Sequence, residues 1–124
     1  MTEDELQKRL EGTLPQHARH GLRVEECQDQ DVRLRFSPNG TTGWHMATLL
    51  ILVDTSLRAA AGVNAEITHL ALTRLREVDP GVEVIVLARI LRRDRDMVHA
   101  EAWLFSHAVV EAALHATATL SVEA

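Results

Sequence analysis

The chain has 124 residues, 46% of them hydrophobic and 25% charged, with a formal net charge of −5 at pH 7. One domain over residues 1–124 is expected, because a core of this size stabilises itself without disulfides or metal. The acidic balance offers no basic face for phosphate neutralisation, which excludes general nucleic-acid binding, and the longest apolar run is too short to span a bilayer. The single Cys27 excludes an internal disulfide, and with no apolar leader at the start a cytoplasmic location is expected. Twelve of the thirteen basic residues are Arg, whose forks match phosphates and carboxylates, although high-GC coding enriches Arg as well.

Thr2-Glu3-Asp4-Glu5 has the form of a capping box, and Leu6, Leu10 and Leu14 follow at helical spacing before Pro15, so a short helix is predicted over about 3–14. A weak strand is predicted near Gly21 to Cys27. A clearer one follows, where Val32, Leu34 and Phe36 alternate with Arg33, Arg35 and Ser37, until Pro38-Asn39-Gly40 breaks it.

Residues 46–61 contain no breaker and are too long for an ordinary strand, so a helix of about 24 Å is predicted there, stopped by Gly62. Its first half is apolar on every side, so something is expected to wrap around it. Within it Asp54 follows the run Leu49-Leu50-Ile51-Leu52-Val53. A carboxylate in a dry helix costs several kcal/mol unless it is paired, protonated or faces a polar cavity. Carboxylates so placed concentrate where proton transfer or nucleophilic chemistry is done, although structural ion pairs use them too.

Beyond Gly62 the period changes to two. Strands are predicted over Ile67 to Val78; along Val82, Val84, Val86, Ala88 and Ile90; and along Val98, Ala100, Ala102 and Leu104. Between the last two lies a charged turn, Arg92-Arg93-Asp94-Arg95-Asp96. A final strand is predicted with Val110, Ala112, Leu114, Ala116, Ala118, Leu120 and Val122 inward and Glu111, His115, Thr117, Thr119 and Ser121 outward. The order helix, two strands, apolar helix, four strands makes an α+β fold with an antiparallel sheet curled around one central helix.

From Gly21 onward this order, with the residues around the helix start, resembles the hotdog fold and, within it, the acyl-CoA thioesterases of phenylacetic-acid type. In that family an Asn lies six residues before a His-Gly-Gly, and an acid lies nine after the His, often followed by Thr and a small residue. Asn39, His45 and Asp54-Thr55-Ser56 match those positions, and Thr68 to Arg76 looks like the family's third strand. Met46-Ala47 stands in place of Gly-Gly.

The resemblance implies hydrolysis of an acyl-CoA-type thioester with no separate cofactor, coenzyme A being part of the substrate. The carbonyl would sit at the start of the central helix, polarised by the Met46 N–H beside Ala47, while Asp54 activates a water or attacks as a nucleophile. Eight residues of helix separate Met46 from Asp54 by about 12 Å, so the resemblance implies a homodimer, possibly a dimer of dimers, in which one helix start faces the other chain's acid. Asn39 would orient water or carbonyl, or is an ordinary turn residue. His45 would organise the helix start, or is merely its first backbone acceptor. Thr68 would approach from the facing strand, or is a common strand residue.

Arg92, Arg93 and Arg95 would hold coenzyme A phosphates, or form a solvated hairpin tip. Asp54 itself could instead be an acid satisfied by backbone donors or by an arginine such as Arg74. A non-catalytic acyl-CoA-binding or assembly domain is the alternative, favoured by Met46-Ala47, and a hotdog dehydratase is a third. His17 and His20 near Cys27 keep no zinc spacing with a further ligand, so no metal is expected. Ser56 has no glycine elbow around it, so it is not expected to be a serine nucleophile.

Overall fold

The computed structural model describes residues 2–13, 22–28, 31–38, 44–79, 81–106 and 110–122. Its elements in chain order are α1 (Glu3–Thr13), β1 (Arg23–Cys27), β2 (Asp31–Phe36), α2 (Met46–Ala61), β3 (Glu66–Arg74), β4 (Val84–Arg93), β5 (Met97–Ser106) and β6 (Leu114–Ser121). All six strands form one antiparallel sheet in the order β1-β2-β4-β5-β6-β3. The α2 crossover leaves β2 on one side of the sheet and delivers β3 to the far edge, so the helix is carried across the sheet face. One long helix against a curved antiparallel sheet is the hotdog fold that the resemblance implied.

Alternation decides which side each strand presents to α2. Val32, Leu34 and Phe36 of β2, Val84, Val86, Ala88 and Ile90 of β4, Val98, Ala100, Ala102 and Leu104 of β5, and Leu114, Ala116, Ala118 and Leu120 of β6 are all buried. The paired alanines Ala100–Ala118 and Ala102–Ala116 keep the middle of the sheet shallow. The helix packs chiefly on β4 and β5, then on β2. From its side Leu49, Leu52, Val53 and Leu57, none more than 1% exposed, complete the core, each contributing about 2 kcal/mol by burial.

The opposite side of the sheet is polar. Glu25 pairs with Arg33 at 3.1 Å and Arg35 at 2.9 Å, and Glu101 accepts from Arg89 at 3.0 Å and contacts His115 at 3.2 Å. Trp103 lies on this side too, stacked on His115 with ring centroids 3.8 Å apart, and the alternation of β5 puts Phe105 with it. Neither aromatic ring therefore lines a space beneath the sheet.

At the start, Thr2 caps α1 by accepting the Glu5 N–H at 3.2 Å, and Leu6 and Leu10 are buried. Gln7 then serves the edge strand β1 as a backbone would, donating to the Leu22 carbonyl at 3.0 Å and accepting from the Val24 N–H at 2.7 Å. Such pairing blunts an otherwise open sheet edge. Leu14, predicted on this helix, lies outside the described residues. Among the described residues no helix is long and apolar enough to cross a membrane.

Four expectations need correction. The sheet covers only one side of α2, leaving Ala47 exposed and Met46, Leu50, Ile51, Asp54 and Arg58 half-buried. β6 begins at Leu114, and Val110, expected inward, is 92% exposed. Ala112 is likewise not an inward strand residue; it is Ala113 that is buried, its N–H donating to the Leu104 carbonyl at 2.8 Å. β3 ends at Arg74 rather than continuing to Val78, and Arg92 and Arg93 belong to β4, so the charged turn shrinks to Asp94-Arg95-Asp96, closed by the Asp94 N–H on the Met97 carbonyl at 2.8 Å.

Candidate active site

The start of α2 is fixed by the residue ahead of its cap. Trp44 is 5% exposed and its indole Nε1–H donates to the Val82 carbonyl at 2.8 Å, which ties the approach to the helix to the beginning of β4. His45 follows as the N-cap in an extended conformation, φ −74 and ψ 155. Its carbonyl accepts the first helical bond from the Leu49 N–H at 3.0 Å, but its side chain makes no capping hydrogen bond. The N–H groups of Met46, Ala47 and Thr48 precede that first bond and have no acceptor within the helix. No acidic residue occupies the first turn, so nothing in α2 neutralises the positive end of its dipole.

A helix advances 100° and 1.5 Å per residue, so Ala47 and Asp54 lie about 20° apart around the axis and about 10 Å apart along it. Leu50 and Ile51 fall between them and Arg58 one turn beyond. These five residues form the stripe that the sheet leaves uncovered. Met46 is turned away by about 80° from Asp54 and packs against the core. Ala47, rather than Met46, therefore shares the stripe with the acid.

Asp54 is 36% exposed, and its Oδ1 accepts from Arg58 Nε at 3.1 Å. It is thus a paired carboxylate at the border of an open surface, not a charge sealed in a dry helix. The arginine is Arg58 and not Arg74, which lies on β3 and approaches Glu77 at 4.0 Å. The next two hydroxyls are spent within the helix: Thr55 Oγ1 donates to the Ile51 carbonyl at 2.8 Å and Ser56 Oγ to the Leu52 carbonyl at 2.9 Å. Ser56 is fully buried.

His45, Met46, Ala47 and Asp54 thus lie along one helix, but the helix start and the acid stay apart, and only Ala47 shares the face of Asp54. Thr68 does not join them within the chain: it is exposed on the edge strand β3, where the pairing with β6 shifts register, and donates to the Thr119 carbonyl at 3.1 Å. Arg92, Arg93 and Arg95 are distant for a topological reason. The start of α2 is tied to Val82, whereas just beyond its end Glu66 pairs with Ser121, which pairs with Met97. The hairpin containing these arginines therefore stands where the helix finishes. Arg92 is engaged there by Asp94 at 3.2 Å and His99 at 2.9 Å.

Asn39, His17 and His20 lie outside the described residues. Among the described residues no group of three His, Cys, Asp or Glu side chains is arranged to hold a metal ion. A hollow of about 350 Å³, lined by Glu26, Asp31, Arg33, Leu87, Arg89 and Trp103 among others, belongs to the polar side of the sheet, away from the stripe. Sequence reasoning missed two residues of the site. Arg58 carries a signal, the i,i+4 spacing from Asp54 that brings two side chains together on a helix. Trp44 carries none, since its role depends on where β4 begins.

No protein-family model and no curated protein matches the sequence. Solved structures do. A candidate thioesterase of Silicibacter sp. TM1040 superposes with a TM-score of 0.85 over 100% of this chain and 93% of its own, at 20% identity. Thioesterase superfamily member 2 of zebrafish gives 0.84 over 99% of both chains at 14% identity. The PaaI protein from the phenylacetic acid degradation operon of E. coli gives 0.77 over 94% and 95% at 11% identity. What they share with this chain at such identities is the path of the backbone, which agrees with the hotdog fold.

Proposed function

We propose that the chain is a thioester hydrolase acting on an acyl-CoA-type substrate, with its site completed between two copies of itself. The observation that carries this reading is the open stripe of α2, where a half-buried, half-engaged carboxylate stands about 10 Å from a helix start whose N-cap side chain makes no capping hydrogen bond to the first amides. Similarity to structures named as thioesterases supports the choice of chemistry.

The carbonyl oxygen of the thioester docks on the N–H groups of Met46 and Ala47. As a nucleophile bonds to the carbonyl carbon, negative charge grows on that oxygen, and the amides and helix dipole stabilise it. In the base route, Asp54 takes a proton from water, the water oxygen bonds to the carbon and the C–S bond breaks. In the nucleophile route, a carboxylate oxygen of Asp54 forms a mixed anhydride, the thiolate leaves and water cleaves the anhydride. Both routes consume one water and release a carboxylic acid and the free thiol. Asn39 orients the water or the carbonyl in either route, and coenzyme A enters only with the substrate.

One helix cannot bring its own start to its own acid across that distance, so the helix start of one copy serves the Asp54 of the other. Two features support a homodimer. The stripe Ala47, Leu50, Ile51 is apolar and left open by the sheet, and β3 is a nine-residue edge strand with no fully buried position, a template for pairing with another strand. A dimer of dimers would use other surfaces. A single domain in the cytoplasm accords with the length and the lone Cys27.

Hydrolysis over a panel of acyl-CoA substrates is expected, with Asp54→Asn lowering kcat at least a hundredfold; equal rates for the two proteins would overturn the proposal. The second reading, a hotdog domain that binds acyl-CoA without cleaving it, draws on Met46-Ala47. The exposed Ala47 methyl occupies space at the helix start that glycine would leave open. Tight binding of acyl-CoA without turnover would favour that reading.

A further inference from the structure

We propose that Arg58 is a positioning residue for Asp54, holding one carboxylate oxygen so that the other is presented to the reacting water or carbonyl. The inference rests on the reading of Asp54 as base or nucleophile. Arg58 Nε donates to Oδ1 at 3.1 Å, and among the described residues Oδ2 accepts no hydrogen bond. The two oxygens are therefore inequivalent, one tied and one free.

Among the described residues no other charged group competes for the role. The strands packed against α2 turn no charged side chain toward it: Val32, Leu34 and Phe36 come from β2 and Val, Ile, Leu and Ala residues from β4, β5 and β6, with Ser106 at the end of β5 the one buried polar residue among them. Their charged residues, among them Arg33, Arg35, Arg89, His99, Glu101 and His115, are on the opposite side of the sheet, where several are paired with one another. Within α2 the remaining polar side chains nearby, Thr55 and Ser56, are bonded to the helix backbone. The described surroundings of Asp54 in one chain thus contain a single cation.

The arrangement matters most once the stripe is covered. Arg58 and Asp54 are 29% and 36% exposed in the isolated chain, so a second copy over the stripe removes much of their remaining water. A carboxylate entering such a place without a donor loses solvation that nothing replaces and rotates freely about its χ2. A guanidinium hydrogen bond both compensates the charge and fixes the carboxylate plane. A purely structural i,i+4 pair would stabilise the helix slightly and have no bearing on the reaction.

The test compares wild type, Arg58→Lys and Arg58→Ala on an acyl-CoA substrate that the wild type hydrolyses, with melting curves and light scattering to verify fold and assembly. Positioning predicts that Arg58→Ala lowers kcat at least tenfold with KM within about twofold, and that Arg58→Lys retains more activity than Arg58→Ala. It also predicts that millimolar guanidinium restores part of the lost kcat to the Ala variant, whereas sodium at equal ionic strength does not. An unchanged kcat in Arg58→Ala, a loss confined to KM, or a variant that loses dimer along with activity and regains neither with guanidinium would overturn the proposal. If Arg58→Ala does not fold, Arg58→Lys against wild type decides, an equal kcat overturning it. A wild type without turnover, or an Asp54→Asn variant as active as wild type, would strike the hydrolase reading itself, a result distinct from an active enzyme indifferent to Arg58.

Discussion

The two faces of α2 are built from similar residues and end in different states. The sheet-facing side, Leu49, Leu52, Val53 and Leu57, is dry, and the two hydroxyls beside it are satisfied by the helix's own carbonyls. The open side is also apolar at Ala47, Leu50 and Ile51, but it ends in Asp54 and Arg58, paired with each other. A helix facing only its own sheet and water would be polar on its outer side. Apolar residues there, interrupted by a single ion pair, are the surface that the proposed second copy would cover.

The comparison breaks most sharply if the covered face proves tolerant. Leu57 is fully buried, so Leu57→Ala should cost about 3 kcal/mol through lost transfer energy and a cavity, while Leu50→Ala on the open side should cost about 1 kcal/mol or less in the monomer. Urea denaturation at a concentration below the dimer's dissociation constant measures both. Equal costs would mean that the open side is packed in the isolated chain after all.

A second prediction addresses the open side directly. Ile51→Glu leaves the core intact, because Ile51 is only half-buried, but puts a charge in the middle of the stripe and, by twofold symmetry, beside its own copy. The expected loss is about 2 kcal/mol of association energy or more, seen as a shift to monomer in analytical ultracentrifugation, with turnover falling in proportion to dimer. A variant that stays dimeric and active would show that the stripe is not where two copies meet.

How much of this was legible beforehand follows from what a periodic pattern contains. A period of two reports that one side of a strand is buried, so β2, β4 and β5 are readable from Val32-Leu34-Phe36 and its counterparts. The helix span is readable because residues 46–61 hold no breaker and Gly62 follows. Sidedness of α2 was not legible, since an apolar residue on the open side looks the same in sequence as one under the sheet. Val110 and Ala112 show the converse error. Their alternation continues that of β6 backwards, yet the strand starts only at Leu114, where pairing with Leu104 begins, and burial passes to Ala113. Asp54 stood out by following the apolar run Leu49-Leu50-Ile51-Leu52-Val53, but its partner was sought across the sheet at Arg74 when one helical turn already supplied Arg58.

The smallest expected effect tests how the open face is held to the covered one. Trp44 precedes the helix start by two residues, and its indole bond to Val82 ties this approach to the sheet. Trp44→Phe keeps the buried ring and removes the donor, which should cost about 1 kcal/mol and lower Tm by about 4 °C. A loss that small leaves nearly all molecules folded at 25 °C, so a stability effect alone would leave kcat unchanged. Turnover should nevertheless fall by about three- to tenfold, because a helix start displaced by even a fraction of an ångström presents its amides badly to a developing oxyanion. An intact kcat beside the lowered Tm would separate the anchor from the chemistry and would remove the helix start from the site, leaving Asp54 and Arg58 as its only defined members.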